Sequence, residues 1–136
     1  MRIYLAARFS RRKEMVARAK EIEALGHTVT SGWVSETAHD GLDATLGKGT
    51  HDDFWQQISE DDVLDILGSD VLIQFTDGVR SRGGKEFEMG YAYRLDLDII
   101  VVGPRVHAFH YLPGVRAYDN WAEALEAIQK DTGDGE

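Results

Sequence analysis

The apolar positions of the chain follow two spacings that alternate along the sequence. Near-continuous apolar runs and one β-branched alternating segment predict strands at residues 2–7, 27–33, 70–75 and 98–102. Apolar residues at helical spacing predict helices over residues 10–25, 51–68, 85–95 and 121–130. This order predicts an α/β fold with helices on both faces of a parallel sheet.

The predicted architecture is a single domain built on a doubly wound, flavodoxin- or Rossmann-like parallel sheet of four to five strands. We expect the strand order 2-1-3-4, with a short fifth strand near Arg116–Tyr118. The domain is expected to span residues 1–131 and to be followed by a frayed tail, 132–136. Ligands of such sheets bind at the carboxyl ends of the strands. Residues 35–50 are predicted to form a long loop near this edge, and a loop of that length is often a functional lid.

Composition narrows the classes of function. The 136 residues carry a net charge of −9, which argues against binding to a nucleic-acid polymer. The apolar runs are too short to cross a bilayer, and we expect no secretory signal. The absence of cysteine excludes disulfides and thiolate metal sites and fits a cytoplasmic protein. The expected partner is therefore a small molecule rather than a membrane or a nucleic acid.

One glutamate falls on the apolar side of the third predicted helix. Glu88 lies, at about 100° per residue, within a stripe that consists of Phe87, Tyr91, Ala92 and Leu95. Glu86 falls on the opposite face with Met89 and Tyr93, two residues that we expect to contact another subunit. Burial of a carboxylate is costly, and positions that tolerate it often hold a reactive group. A buried ion pair, or hydrogen bonds from the start of the same helix, are the alternative explanations.

A second inward carboxylate is predicted at Asp62, which a helical wheel places among Phe54, Ile58 and Ile66. The spacing Ser59-x-x-Asp62 is also typical of a capping box, which would start a helix at this point. The two interpretations are compatible, because the start of a helix can also face a site.

Basic residues cluster after two of the predicted strands. They are Arg8, Arg11, Arg12 and Lys13 after the first, and Arg80, Arg82 and Lys85 around the glycine pair 83–84. With the N–H groups of the adjacent helix starts, they predict a local positive pocket for a phosphate or a sugar hydroxyl. A solvated helix face is the alternative for Arg12 and Lys13. The histidines show no metal-ligand spacing, and a solvated helix start explains the HDD sequence at 51–53 better than a metal site.

Several segments resemble the nucleoside 2-deoxyribosyltransferase family and its nucleotide N-glycosidase relatives, over residues 2–118. The opening IYLAARF is similar to the family's first strand and loop. The segments DVLDILGSDVLI and GGKEFEMGYA are similar to its central helix–strand unit and its E-x-G-Y-A element. The resemblance implies the doubly wound fold and cleavage of the bond between a deoxyribose and a nucleobase.

The resemblance also implies roles for individual residues. Glu88 corresponds to the family's nucleophile, Tyr4 to the tyrosine that orients it, and Asp62 to an aspartate that contacts the base. In the nucleotide-cleaving relatives the first loop and the glycine turn hold a 5′-phosphate. The predicted substrate-binding residues are Ala7, Arg8, Phe9, Ser10, Trp33, Arg82, Gly83, Gly84 and His107, with Phe9 or Trp33 stacking on the base.

Members of the family are dimers or larger, and a neighbouring subunit often completes the pocket. The segment 103–115, which contains His107, is the predicted donor, so we expect a homodimer or a higher homo-oligomer. Some transferases carry an acid where this chain has Arg82. This difference favours a phosphorylated or otherwise anionic substrate.

We therefore predict that Glu88 attacks the anomeric carbon and forms a covalent glycosyl ester, as in retaining glycosidases. Asp62 assists the leaving base, and no cofactor is expected. A second base as acceptor makes the enzyme a transferase, and water makes it a hydrolase. The alternatives are a non-catalytic nucleotide sensor of the same fold and a nicotinamide-cleaving or cyclic-nucleotide enzyme of a related α/β type.

Overall fold

One parallel sheet organises the chain. A computed structural model describes residues 1–35, 48–78 and 83–134 of the protein. The strands are β1 (Arg2–Ala6), β2 (Thr28–Val29), β3 (Val71–Phe75), β4 (Asp98–Val102) and β5 (Arg116–Tyr118). The helices are α1 (Arg12–Ala24), α2 (Lys48–Leu67), α3 (Gly84–Arg94) and α4 (Trp121–Asp134). The parallel order β2-β1-β3-β4-β5 confirms the predicted fold class, strand order and fifth strand.

The central strands are buried because helices cover both faces of the sheet. β3 is buried along its whole length, and β1 is buried from Ile3 to Ala6. Tyr4 pairs with Leu72, and Ala6 pairs with Gln74, so β1 and β3 end side by side. The loops after these two strands therefore start at the same edge, where the predicted site should lie.

The second strand is shorter than the predicted segment 27–33. β2 contains two residues, and a 3₁₀ turn follows at Gly32–Val34. The indole N–H of Trp33 donates to the carbonyl of Leu5 at 2.8 Å. This bond satisfies the buried indole and holds the turn beside the end of β1 in place of a longer strand.

The helix α2 is continuous from Lys48 through Ser59, so the predicted capping box at Ser59 and Asp62 is wrong. The Ser59 hydroxyl donates to the carbonyl of Gln56 at 2.7 Å, a bond within the helix rather than a cap. Asp62 is a mid-helix residue, and the HDD sequence at 51–53 lies in the first turns of the helix, where Asp52 and Asp53 are exposed, as expected for a solvated helix start. Most of the predicted loop, residues 36–47, lies outside the described residues.

The buried face of α3 differs from the predicted stripe. Lys85, Met89 and Ala92 are buried, whereas Phe87 is 65% exposed. The helix carries apolar residues on more than one side, so spacing alone does not decide which side packs against the sheet. Met89 is buried within its own chain and is not a surface contact for another subunit, while Tyr93 remains 40% exposed.

Asn120 caps the last helix. The side chain of Asn120 accepts the N–H of Glu123 at 3.0 Å. α4 continues to Asp134, past its predicted end at Lys130. Within the described ranges, every helix is too short or too polar to serve as a transmembrane span.

Candidate active site

A cavity of about 810 Å³ opens beyond the ends of β1 and β3, between α2 and α3. The loop after β1, the 3₁₀ turn after β2 and parts of both helices form its walls. Eight of the residues predicted from the sequence line it: Ala7, Arg8, Phe9, Ser10, Trp33, Asp62, Gly84 and Glu88. The location is the one at which doubly wound sheets bind their ligands.

Tyr4 and Glu88 form a hydrogen bond beside this cavity. Tyr4 lies on β1, is fully buried, and donates its hydroxyl proton to Oε2 of Glu88. Glu88 lies one turn into α3 and lines the cavity. Among the described residues no lysine or arginine pairs with Glu88, so the alternative of a buried ion pair does not hold there.

The surroundings of Glu88 change its acidity. Burial raises the pKa of Glu88 from its ordinary value of 4.5 to about 8. The charges of Asp62 and Glu86 also raise this pKa, while the hydrogen bond from Tyr4 lowers it. Burial and the charge of Glu88 raise the pKa of Tyr4 far above its ordinary value, so the phenol stays a proton donor in the hydrogen bond. A carboxyl group with a pKa displaced this far is typical of a functional site.

Asp62 lines the same cavity from α2, and its charge acts on both Tyr4 and Glu88. Asp65 lies one turn further along α2, and its Oδ2 accepts the N–H of Gly32 at 3.0 Å. The sequence pattern does not single out Asp65, because its partner is on a turn that was expected to be a strand. The helix thus supplies one carboxylate to the cavity and another to the turn that carries Trp33.

Aromatic side chains form much of the cavity wall. The rings of Phe9 and Trp33 have a centroid distance of 6.4 Å and an interplanar angle of 47°. Trp55 and Phe87 also line the cavity and were missed from the sequence, although Trp55 lies one turn before Ser59 on the same helix face. The other lining residues that were not predicted are Ile58, Ser59, Val63 and Ile66, while Lys85, which was expected in the positive pocket, also lines the cavity. Rings of this kind can stack on a flat heteroaromatic base.

The basic residues at the cavity are paired with carboxylates. Arg8 Nη2 lies 2.5 Å from Oδ2 of Asp77, and the buried Nζ of Lys85 lies 2.5 Å from Oε1 of Glu86. The positive pocket predicted from the sequence is therefore offset by neighbouring acids in the part of the chain that the structure describes. Arg82 lies outside the described residues.

The helix α3 begins at the predicted glycine turn. Gly83 has a φ of 99°, a left-handed conformation that favours glycine, and Gly84 is the first helical residue. Gly84 lines the cavity, whereas Gly83 does not. The N–H groups in the first turn of a helix lack intrahelical acceptors, and the helix dipole makes this end favourable for an anion.

His107 does not reach this cavity within one chain. It lies in a second groove of about 760 Å³, which shares Phe87 with the cavity. The ring of His107 stacks on that of His110 at a centroid distance of 3.7 Å. A contribution of His107 to the pocket of a neighbouring subunit stays a prediction.

Solved structures with known activities share this fold. A CMP N-glycosidase from Clostridium botulinum matches with a TM-score of 0.63 and 19% identity, over 96% of this chain and 99% of that chain. A 2-deoxyribosyltransferase from the psychrotolerant bacterium Bacillus psychrosaccharolyticus matches with a TM-score of 0.71 and 17% identity, over 95% of this chain and 96% of that chain. No protein-family model matches the sequence, and no curated protein matches it significantly. At these identities the likeness shows a common fold.

Proposed function

We propose that the protein cleaves or transfers at the N-glycosidic bond of a nucleoside or nucleoside 5′-monophosphate, with Glu88 as the nucleophile. The observation that carries this proposal is the hydrogen bond from Tyr4 to Glu88 beside a cavity with aromatic walls. A partly buried carboxyl group held by a phenol is suited to attack at a sugar carbon. The common fold with a CMP N-glycosidase and a 2-deoxyribosyltransferase supports the same class of bond.

In the proposed reaction, the carboxylate of Glu88 attacks C1′ through Oε1, because Oε2 holds the hydrogen bond from Tyr4. A C1′–oxygen ester bond forms, the bond from C1′ to the base nitrogen breaks, and its electron pair leaves with the base. Water or a second base then attacks C1′ and restores the carboxylate. Two displacements at the same carbon retain its configuration.

The attacking form of Glu88 is the anion, so its raised pKa has a kinetic consequence. Near neutral pH most of the free enzyme carries a protonated Glu88, which must lose its proton before the attack. The departing base needs a proton or a hydrogen bond on its nitrogen. Asp62, which lines the same cavity, is the proposed donor for this step, and its carboxylate must first take up from water the proton that it gives to the base nitrogen.

The remaining lining residues are assigned to binding. Phe9 and Trp33 are proposed to stack on the base. The first turn of α3 at Gly84, with Arg8 and Ser10, is proposed to hold a 5′-phosphate when the substrate carries one. We also propose a homodimer or higher homo-oligomer in which segment 103–115, including His107, completes the pocket of a neighbouring subunit.

The test is incubation with a panel of nucleosides and 5′-monophosphates, with and without a second base, followed by chromatography of freed and exchanged base. Wild-type protein is expected to release base, and Glu88→Gln to lose about three orders of magnitude in turnover or more. Glu126→Gln, on the exposed face of α4, is the control and should keep most of the activity. Base release by a folded Glu88→Gln variant contradicts the proposal, and binding without release over hours favours the nucleotide sensor.

A further inference from the structure

An ion pair connects the loop after β1, which lines the cavity, to the loop after β3. Arg8 follows β1 and lines the cavity, while Asp77 follows the neighbouring strand β3. Arg8 Nη2 lies 2.5 Å from Oδ2 of Asp77, and the two side chains are 32% and 28% exposed. Because β1 and β3 are adjacent and parallel, this pair lies at the edge of the sheet where the ligand is expected.

The same oxygen of Asp77 also faces a second arginine. Arg11 Nη1 lies 3.8 Å from Oδ2 of Asp77, but Arg11 has a closer partner. Its Nε and Nη2 each donate to Glu14 at 2.9 Å, which is a bidentate pair. These two arginines and two carboxylates sum to zero charge. Among the described residues, Asp77 is thus the ion-pair partner of Arg8, and Glu14, whose Oε2 also lies 3.8 Å from Nε of Arg18, is the closer partner of Arg11.

We propose that Asp77 is a specificity-determining residue that competes with an anionic substrate group for Arg8. This inference rests on the proposed function, in which Arg8 contributes to a 5′-phosphate site. Within the described residues the Nε of Arg8 is buried without a hydrogen-bond partner, so the guanidinium has donor capacity that the pair with Asp77 leaves unused. A bound phosphate engages this guanidinium at the expense of Asp77.

The competition acts on phosphorylated substrates alone. A nucleoside without a phosphate leaves the pair of Arg8 and Asp77 intact and meets a locally neutral rim. A phosphate dianion must overcome the repulsion of the Asp77 carboxylate and replace it at Arg8. The strength of this pair therefore sets the preference between a 5′-monophosphate and the free nucleoside.

The experiment compares Asp77→Asn with Glu14→Gln, each of which removes one negative charge from the same cluster. We expect the KM for the 5′-monophosphate to fall about three- to tenfold in Asp77→Asn, with the KM for the matching nucleoside and both kcat values within about twofold. In Glu14→Gln the KM and kcat for the monophosphate and for the nucleoside should all stay within about twofold of wild type, because Asp77 still pairs with Arg8. Asp77→Ser replaces Asp77→Asn if thermal melting shows that the first variant does not fold.

A higher KM for the monophosphate in Asp77→Asn contradicts the proposal, since it means that Asp77 holds Arg8 in its binding position. Equal changes for both substrates, or for both variants, contradict it as well. Calorimetry with inorganic phosphate separates this inference from the proposed reaction. If no substrate releases its base, the proposed reaction is wrong. The competition between Asp77 and phosphate is then tested by binding alone, and it requires that Asp77→Asn binds inorganic phosphate more tightly than Glu14→Gln and wild type do.

Discussion

The hydroxyl of Tyr4 donates a hydrogen bond to Oε2 of Glu88, a residue 84 positions later in the sequence. The two meet because β1 carries Tyr4 next to β3, and α3 returns from β3 across the same end of the sheet. The bond has two effects in the proposed reaction: it orients the carboxyl group, and it lowers the pKa of Glu88, which burial nevertheless raises to about 8. Variants at these positions should therefore change the pH profile as well as the rate.

Removal of the phenol should move the acidic limb of the activity profile to higher pH. Burial, Asp62 and Glu86 raise the pKa of Glu88, and the bond from Tyr4 opposes them. Tyr4→Phe loses that opposing contribution, so its kcat/KM should rise with pH at a higher midpoint than the wild-type value of about 8. The measurement is kcat/KM for base release across the range from about pH 6 to about pH 10.

Tyr118→Phe, on β5, is the control and should keep the wild-type midpoint. A midpoint in Tyr4→Phe that equals the wild-type one would show that the phenol does not act on the acidity of Glu88. Loss of rate alone would then point to an effect on folding or orientation.

Neutralisation of Asp62 should move the acidic limb of the kcat/KM profile to lower pH. The negative charge of Asp62 raises the pKa of Glu88, so Asp62→Asn should lower the midpoint of kcat/KM. If Asp62 also donates to the leaving base, kcat should fall by about two to four orders of magnitude. Asp61→Asn, one residue earlier on α2, tests whether any lost charge on this helix has the same effect. Equal midpoints in the two variants would contradict the assignment to Asp62.

The acidity of Glu88 should also appear as a pH-dependent stability. The folded-state pKa of about 8 lies above the ordinary 4.5, so the folded protein binds the proton more tightly than the unfolded chain. Stability contributed by the protonated form is complete below the unfolded-state pKa and is lost as pH rises through about 8. Glu88→Gln removes this loss, so at alkaline pH the variant should have a higher free energy of unfolding than wild type and melt at a higher temperature. The gain should be several kcal/mol at most, since one pKa unit corresponds to about 1.4 kcal/mol.

Near the ordinary pKa of a glutamate the advantage of Glu88→Gln should disappear. Thermal melting near pH 5 and near pH 9 measures the difference, with Glu126→Gln on the exposed face of α4 as the control. A constant advantage at both pH values would show that the gain does not come from the titration of Glu88.

Elements with strong periodicity were predictable, and so were the candidate site residues on them. Tyr4 lies on a short apolar strand and Glu88 follows a glycine turn, so pattern and resemblance together identified both, and the structure brings them into contact. The capping box at Ser59 was misread because helix-forming residues precede it back to Lys48, and a local pair cannot show where a helix begins. Such boundaries depend on packing that a short window of sequence does not contain.

Pairings between side chains of different loops could not be predicted from the sequence. Arg8 was expected to present its charge to a ligand, but the adjacency of β1 and β3 brings Asp77 to it. Likewise, the exposure of Phe87 and the burial of Met89 depend on how α3 is rotated against the sheet. Both results require the tertiary arrangement, since neither spacing nor composition encodes which of two possible neighbours a side chain meets.

The loop after β4 gives a prediction on stability. Gly103 has a φ of 113°, and a Cβ at this position would lie 2.3 Å from the carbonyl oxygen of Thr76. Gly103→Ala should therefore lower the free energy of unfolding by about 2–4 kcal/mol, through both backbone strain and a clash with main-chain atoms that cannot move aside. Gly90→Ala is the matched control, because Gly90 lies within α3 and an added Cβ meets nothing within 4 Å. Helix propensity predicts that Gly90→Ala stabilises the protein by about 0.5–1 kcal/mol. In urea unfolding, the midpoint concentration should therefore fall for Gly103→Ala and rise for Gly90→Ala. An unchanged midpoint in Gly103→Ala would contradict the close packing of this loop against Thr76, at the end of β3.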